Sequence, residues 1–301
     1  MHFALYGRSF GPDAEKRMRV LLEHLSEKGV RVSCYSALAS RLRSCGLGSL
    51  AGGAEFTGAD DLPGDVDIVL ALGGDGTFLS SLTIVGNREI PVAGINFGRL
   101  GFLTSAGSGD AGCGVVDRLV AGDCCVERRT LLELSCSGLP ADLYPYALNE
   151  ITIQRSEPYM VGIEVSIDGM RIPTYWADGL LIATPSGSTA YSLSFGGPVV
   201  MPGSSVFIIT PMAPHNLNVR PLIVPDTSVV EVTIRPSGRR AMVSVDNRSA
   251  GMPEDARITV RKAPFGLSCV SFGRDGFFEA LHEKLLWGED RRNEIKYYER
   301  K

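Results

Sequence analysis

One run, Asp67 to Leu72, unbroken apolar after its first residue, opens directly onto Gly73-Gly74-Asp75-Gly76-Thr77, and this junction constrains the fold more than any other stretch. A strand with one wet face alternates apolar and polar residues. A strand with no polar break is covered on both faces, as in a parallel sheet sandwiched by helices. The surrounding sequence supplies the rest of such a sheet. Phe3 to Tyr6 reads as a buried strand, and Asp13 to Lys28 as a helix with Met18, Leu21, Leu22 and Leu25 on one face. Gly29 supplies that helix's stop, and Val30 to Tyr35 reads as a strand. Thr77 to Val85 then reads as a helix and Val92 to Asn96 as another strand. Strands alternating with helices in this way imply an α/β domain with a parallel sheet. Residues 38–62, rich in Gly, Ser and Ala, receive no assignment.

Near residue 125 the pattern changes. Short strand signals follow at Leu131 to Cys136, Ile151 to Arg155, Ile163 to Ile167, Leu180 to Thr184, Val206 to Ile209, Val229 to Ile234, Ala241 to Val245 and Ile258 to Val260. Gly, Pro and Asp punctuate them, which reads as an all-β domain, sandwich-like or barrel-like. Asp275 to Trp287 is helical again, with Phe278, Leu281 and Leu285 on one face. A lone helix after a β-domain has to bury that face, and the first domain offers a surface for it. The expected division is therefore residues 1–124, residues 125–272 and a helical tail over 273–301 that returns to the first domain.

Composition excludes several classes. A net charge of −4 gives no bulk attraction to nucleic acid or anionic lipid. No apolar stretch approaches the roughly 20 residues a spanning helix requires, and the N-terminus carries no targeting pattern. The seven cysteines lack metal-ligand spacing and read as free thiols in a reducing, cytoplasmic compartment. No protein metal ligand set is identified.

The Gly73 to Thr77 turn lies beyond the carboxyl end of its strand, where open α/β sheets bind ligands. Its glycines allow close backbone approach, and its amides with the helix N-terminus can cradle a phosphate. A carboxylate repels phosphate, so Asp75 in that cradle suits a different role, either accepting a proton from an attacking hydroxyl or helping to hold a metal. The structural alternative is a helix cap. Neither G-x-G-x-x-G nor G-x-x-x-x-G-K-[ST] occurs. A second glycine-rich exit, Gly94 to Leu103, follows the next strand.

Asn149-Glu150 precedes a strand, and an adjacent amide and carboxylate can read ribose hydroxyls or a base edge. Ala177 to Pro198 runs from an apolar strand into Ser186, Ser188, Thr189, Tyr191, Ser192 and Ser194 between glycines. Such a block of neutral donors and acceptors suits a polyhydroxylated, phosphate-bearing ligand, or else simply caps turns.

Taken in order, Gly73 to Thr77, Gly94 to Leu103, Asn149-Glu150, Asp178 to Pro198, and Pro211 to His215 through Arg220-Pro221 resemble the NAD kinase family. The Gly-Asp-Gly turn alone is shared with phosphofructokinases and diacylglycerol-type lipid kinases, whereas Asp178 to Pro198 is specific. The resemblance implies a Rossmann-like N-terminal domain, a β-sandwich C-terminal domain, and a homodimer or homotetramer. It implies transfer from ATP, in some members polyphosphate, with a divalent cation such as magnesium, to the 2'-hydroxyl of NAD's adenosine ribose. Asp75 matches the proton acceptor. Asp75, Gly76, Asn149, Glu150, Asp178, Ser186, Thr189, Ala190, Tyr191 and Ser194 match positions that hold NAD, and Gly73, Gly74, Gly76 and Thr77 form the phosphate-binding loop.

Two places depart from the family pattern. Asp246-Asn247-Arg248 stands where many members carry Asp-Gly-Gln, with Asn247 expected to adopt the left-handed turn in place of Gly. Trp176-Ala177 precedes Asp178 where some members place a basic residue. The rival readings are a lipid or sugar kinase sharing the Gly-Asp-Gly turn, and a non-catalytic dinucleotide sensor.

Overall fold

The computed structural model describes residues 1–8, 10–98, 101–106, 111–216, 218–235, 241–253, 256–273 and 275–287. Arg99, Leu100 and Leu217 of the family-like stretches lie outside the described residues. The chain divides into two compact units, Met1–Glu127 with Ser268–Lys301, and Arg128–Leu267.

The first unit contains strands β1 (His2–Tyr6), β2 (Arg31–Tyr35), β3 (Ala54–Phe56), β4 (Ile68–Leu72) and β5 (Val92–Asn96), with a two-residue strand β6 (Ser105–Ala106) beside β5. Its helices are α1 (Pro12–Glu27), α2 (Ser36–Ser44), α3 (Asp75–Val85) and α4 (Cys113–Ala121). The strands are parallel in the order β5-β4-β1-β2-β3, with Phe3 opposite Ile68 and Val69 opposite Val92. Every residue of β1 and β4 is buried, because helices cover both faces. Met18, Leu21, Leu22 and Leu25 of α1 join Phe3, Leu5, Leu70 and Ile95 in one core. The strand order reverses direction between β1 and β4, which makes the loop after β4 a ligand-facing position in this architecture.

Helix α3 starts two residues earlier than its apolar pattern predicts. Gly74 is extended, and its carbonyl accepts the amides of Thr77 at 2.9 Å and Phe78 at 3.1 Å, so Asp75 occupies the first turn. The helix is buried nearly all round. The hydroxyls of Ser80, Ser81 and Thr83 therefore donate back to the carbonyls of Gly76, Phe78 and Ser80.

The unassigned stretch 38–62 contains the end of α2, a short 3₁₀ turn at Gly48–Leu50, and β3. Helix α2 buries only Leu38, Ala39 and Leu42, too short a stripe to stand out among its Ser and Arg residues. Helix α4 likewise goes beyond the sequence assignment; it buries Val116 and Leu119 between the left-handed Gly112 and Gly122.

The second unit is a β-sandwich. Its strands are β7 (Cys125–Cys136, which begins in the first unit), β8 (Tyr146–Ala147), β9 (Glu150–Arg155), β10 (Val161–Ile167), β11 (Met170–Arg171), β12 (Tyr175–Ala177), β13 (Gly179–Ala183), β14 (Val206–Met212), β15 (Leu222–Pro225), β16 (Val230–Ile234), β17 (Ala241–Val245), β18 (Arg248–Met252) and β19 (Arg257–Ser271). One sheet is antiparallel in the order β15-β14-β13-β9-β17-β18. The other is built on β11-β10-β16-β19, with β12 on β10 and β7-β8 on β19. Ile151, Ile153, Leu180, Ile182, Phe207 and Val243 of the first sheet meet Ile163, Val165, Val232, Ile258 and Val260 of the second in one core.

Strand β13 is buried on both faces. Leu180 and Ile182 enter the inter-sheet core, while Leu181 and Ala183 pack with Ile208 and Met212 under Phe195 and Val200. The hydroxyl-rich segment is thus clamped to the sandwich by its own apolar members. Strand β19 runs fifteen residues where only Ile258 to Val260 is expected, since Ala263-Pro264-Phe265-Gly266 interrupts its alternation.

Helix α5 (Tyr191–Ser194) is a single turn within the hydroxyl-rich segment, and α6 (Asp275–Leu285) closes the described chain. The rotation of α6 corrects another expectation. Phe278 is 56% exposed and Leu285 36%, whereas Ala280 and Leu281 are buried at 2% and 6%. The inward stripe is Phe277, Ala280 and Leu281, because Phe277 packs on Phe102 with ring centroids 6.4 Å apart and fixes the rotation of the helix.

Candidate active site

Asp75 leaves the first turn of α3 and is met by the strip Gly101–Thr104. Its Oδ2 accepts the amide of Phe102 at 3.0 Å. Its Oδ1 accepts the amide of Leu103 at 3.3 Å and the hydroxyl of Thr104 at 2.9 Å. Lys284 of α6 brings its Nζ to 3.6 Å from Oδ2, and the Asp75 side chain remains 30% exposed. Gly101 is required here: a Cβ at that position would lie 1.9 Å from Asp75 Oδ1 and 2.2 Å from Thr104 Oγ1. The Gly73-Gly74 turn and the glycine-rich exit from β5 are therefore two halves of one corner. Asp75 caps no amide of its own helix. Its side chain faces the neighbouring strip, which removes the capping alternative.

In the second unit Asn149 and Glu150 stand at the start of β9, and their backbone is held from β17. Asp246 carries a side chain with no exposure and accepts three successive amides, those of Leu148 at 2.9 Å, Asn149 at 2.8 Å and Glu150 at 3.2 Å. Asp246, not Asn247, takes the left-handed conformation, with φ of 51°. Turning at the aspartate aims its carboxylate back across the sheet at those amides. The expectation of a left-handed Asn247 is thus corrected. Arg248 donates to the carbonyl of Tyr146 at 2.6 Å, lies 3.8 Å from Asp246, and stacks 5.6 Å from the Tyr144 ring centre. Burial depresses the Arg248 guanidinium and, with Tyr146 adding to it and Arg248 opposing it, pushes the Tyr144 hydroxyl up to about 12.

Clasping the backbone leaves the side-chain polar atoms of Asn149 and Glu150 for other work. Asn149 Oδ1 and Glu150 Oε2 are buried without a protein partner. Burial, reinforced by the nearby Asp246 carboxylate, pushes Glu150 up to about 8, against the donation from the Tyr191 amide. A protonated carboxyl there both donates and accepts, whereas an ionised glutamate only accepts.

Asp178 is gripped by Arg155, whose Nε and Nη2 reach its two oxygens at 2.8 and 3.1 Å in a bidentate pair. Thr184, at the end of β13, hydrogen-bonds the carbonyl of Leu148 and accepts the Gly187 amide at 3.1 Å. Gly187 passes so close that a Cβ would sit 2.1 Å from the Asn149 carbonyl oxygen. The turn Ser186–Thr189 is therefore pressed against Asn149. Ser188 is fully buried and exchanges hydrogen bonds with the backbone of Val200, and Ser192 pairs with Thr210 at 3.2 Å. These two hydroxyls are structural. Tyr191 and Ser194 are exposed, and Tyr191 meets Phe195 edge-on at 5.0 Å.

Asp75, Gly73, Gly74, Gly76 and Thr77 thus share one corner with Gly101–Thr104, and Asn149, Glu150, Ser186, Thr189, Ala190 and Tyr191 share another. Sequence reasoning missed Lys284, Thr104, Arg155 and the clasp by Asp246. Charged residues are common on exposed faces, so only proximity singles these out. Among the described residues no group of three or more His, Cys, Asp or Glu is placed to hold a metal ion, and no helix is long and apolar enough to cross a membrane.

Residues 12–124 match the family model of the ATP-NAD kinase N-terminal domain, and residues 148–272 match that of the C-terminal domain. These matches define a phosphotransferase. The chain is 39% identical to an NAD kinase of Cytophaga hutchinsonii and 36% identical to one of Bacteroides fragilis, in each case over 97% of this chain and 100% of the relative. Among solved structures it is similar to a yeast NADH kinase complexed with NADH (TM-score 0.83, 26% identity, 99% of this chain and 90% of that one). It is also similar to an Archaeoglobus fulgidus NAD kinase in complex with ATP (TM-score 0.69, 28% identity, 94% and 98%). The chain belongs to the NAD kinase family, whose reaction is ATP-dependent phosphorylation of NAD. The lipid-kinase, sugar-kinase and sensor readings are not favoured.

Proposed function

We propose that Asp75 orients the 2'-hydroxyl of NAD's adenosine ribose and accepts its proton as the γ-phosphoryl group of ATP transfers, giving NADP. The observation that carries this reading is the fixed, partly exposed Asp75 carboxylate at the strand-order reversal, beside the amides of the Gly73–Thr77 turn. Those amides and the α3 N-terminus supply donors for phosphate oxygens. Gly73, Gly74, Gly76 and Thr77 form the phosphate side of the site. NAD is held by Asp75, Gly76, Asn149, Glu150, Asp178, Ser186, Thr189, Ala190, Tyr191 and Ser194. The unpartnered Asn149 Oδ1 and Glu150 Oε2 supply hydrogen-bonding capacity for its hydroxyls or base edge. In this division residues 1–124 act on phosphate, residues 125–272 supply most of the dinucleotide contacts, and α6 within the tail over 273–301 stands at the Asp75 corner.

A divalent cation such as magnesium fits the chain in one way. With no protein cage among the described residues, it would arrive on the nucleotide's phosphates, with Asp75 as the protein oxygen at hand. It would supply charge neutralisation at the β- and γ-phosphates. A homodimer or homotetramer in the cytoplasm is the accompanying proposal.

The test mixes purified protein with NAD, ATP and magnesium and reads NADP through an NADP-specific dehydrogenase, with Asp75→Asn alongside. NADP from the parent and almost none from the folded variant is expected. Near-normal turnover by Asp75→Asn would remove Asp75 from the base role.

A further inference from the structure

The Asp75 corner contains a cation that the reading above does not use. Helix α6 presents Phe277, Leu281 and Lys284 on one face, at spacings of four and three residues. Leu281 is buried and Phe277 packs on Phe102, so the helix is seated at this spot by its apolar members. Lys284 extends from that seat, 3.6 Å from Asp75 Oδ2 and 5.0 Å above the ring of Phe102, the residue whose amide holds the same oxygen.

Fold stability does not explain this placement. Asp75 already has three hydrogen-bond donors, and an exposed ion pair added to a satisfied carboxylate contributes little. Offsetting the dipole at the end of α6 would be served equally well by a lysine pointing into water. What the position does provide is a positive charge on a flexible stem, 32% exposed, beside the carboxylate where phosphoryl transfer is proposed. A loosely held ammonium can move from a carboxylate to a phosphate as a point charge.

We infer that Lys284 is a further residue of the transfer step, pairing with Asp75 before substrates bind and turning to the transferring phosphoryl group when they do. The inference rests on the role assigned to Asp75. In the step, the ribose 2'-oxygen forms a bond to the γ-phosphorus, the bond from that phosphorus to the β-γ bridging oxygen breaks, the hydroxyl proton passes to Asp75, and ADP leaves. Lys284 gains and loses no proton; its charge offsets that on the equatorial oxygens during transfer.

Steady-state kinetics of the full chain with NAD, ATP and magnesium, for the parent, Lys284→Met and Lys284→Arg, tests this. Removing one charge-stabilising group from a partly exposed site is expected to lower kcat/KM for ATP about 10- to 100-fold. The KM for NAD and the melting temperature should stay at parental values, and Lys284→Arg should recover most of the loss. Lys284→Met within about twofold of the parent overturns the inference, because a charge at the transferring group is worth more than that. So does a loss that Lys284→Arg fails to recover, or one that tracks a fall in melting temperature. A parent that makes no NADP would instead sink the reading of Asp75, and Asp75→Asn in the same series separates the two failures.

Discussion

Two carboxylates in this molecule make nearly the same hydrogen bonds and do different things. Asp75 accepts two successive amides and a hydroxyl from Gly101–Thr104; Asp246 accepts three successive amides from Leu148–Glu150. Each pins a segment distant in sequence. The Asp246 side chain is wholly buried at a sandwich edge with a half-buried arginine beside it, whereas the Asp75 side chain is 30% exposed with a partly exposed lysine beside it. Bond count alone would rank them alike. Exposure separates a carboxylate that only holds the chain together from one that a ligand can reach.

The largest test of this contrast is Asp75→Asn. Loss of a positioned base lowers kcat by about 10²- to 10⁴-fold, with urea midpoints unchanged. The matching change on the other side, Asp246→Asn, places an NH₂ group among amide donors. It should destabilise the fold by about 2–3 kcal/mol in urea titrations, the range for leaving buried partners unsatisfied. If Asp246→Asn left stability alone and abolished kcat, the contrast would collapse.

Gly101→Ala comes next. Its Cβ would collide with Asp75 Oδ1, so turnover should fall about 10-fold or more beside an overpacking cost of about 1–3 kcal/mol in stability, since misplacement of a carboxylate in the proposed base role is costly in rate. Steady-state rates beside a thermal melt decide it.

Glu150→Gln is read in the absence of ligand, as pH dependence of stability. An unfolded glutamate releases its proton near 4.5, and folded Glu150 keeps it to about 8. The folded chain therefore binds the extra proton across that window, and stability falls as pH rises through it. Glu150→Gln should remove this fall, leaving the variant more stable than the parent above pH 8 by up to about 5 kcal/mol, with the two converging below pH 4.5. Urea midpoints at several pH values measure it. Parallel curves would mean that Glu150 titrates normally.

Much of the first corner is legible in the sequence. An apolar strand running into Gly-Gly-Asp-Gly-Thr fixes where the carboxylate stands, because strand, turn and helix start are local features. The hydroxyl block is legible for the same reason. Ser188 and Ser192 within it are nonetheless structural, since a serine looks alike in sequence whether it faces a ligand or a carbonyl. Trp176, a departure from the family pattern, lies on β12 with the Arg235 guanidinium 5.6 Å from its ring centre.

The remainder depends on contacts between residues far apart in the chain. Asp75 meets Leu103 across 28 positions and Asp246 meets Leu148 across 98. Periodicity alone misassigns the inward face of α6, because Phe278 and Leu285 share a stripe with Leu281 and only the Phe102 ring decides which rotation is buried. By itself the sequence determined the alternation of strands and helices, the change to a β-rich second region and the place of the Gly73–Thr77 turn, because these follow from short-range periodicity and turn chemistry. Tertiary structure alone decided which carboxylate is sealed, which is open, and which lysine stands beside the open one, because burial and charge proximity are properties of packing rather than of local sequence.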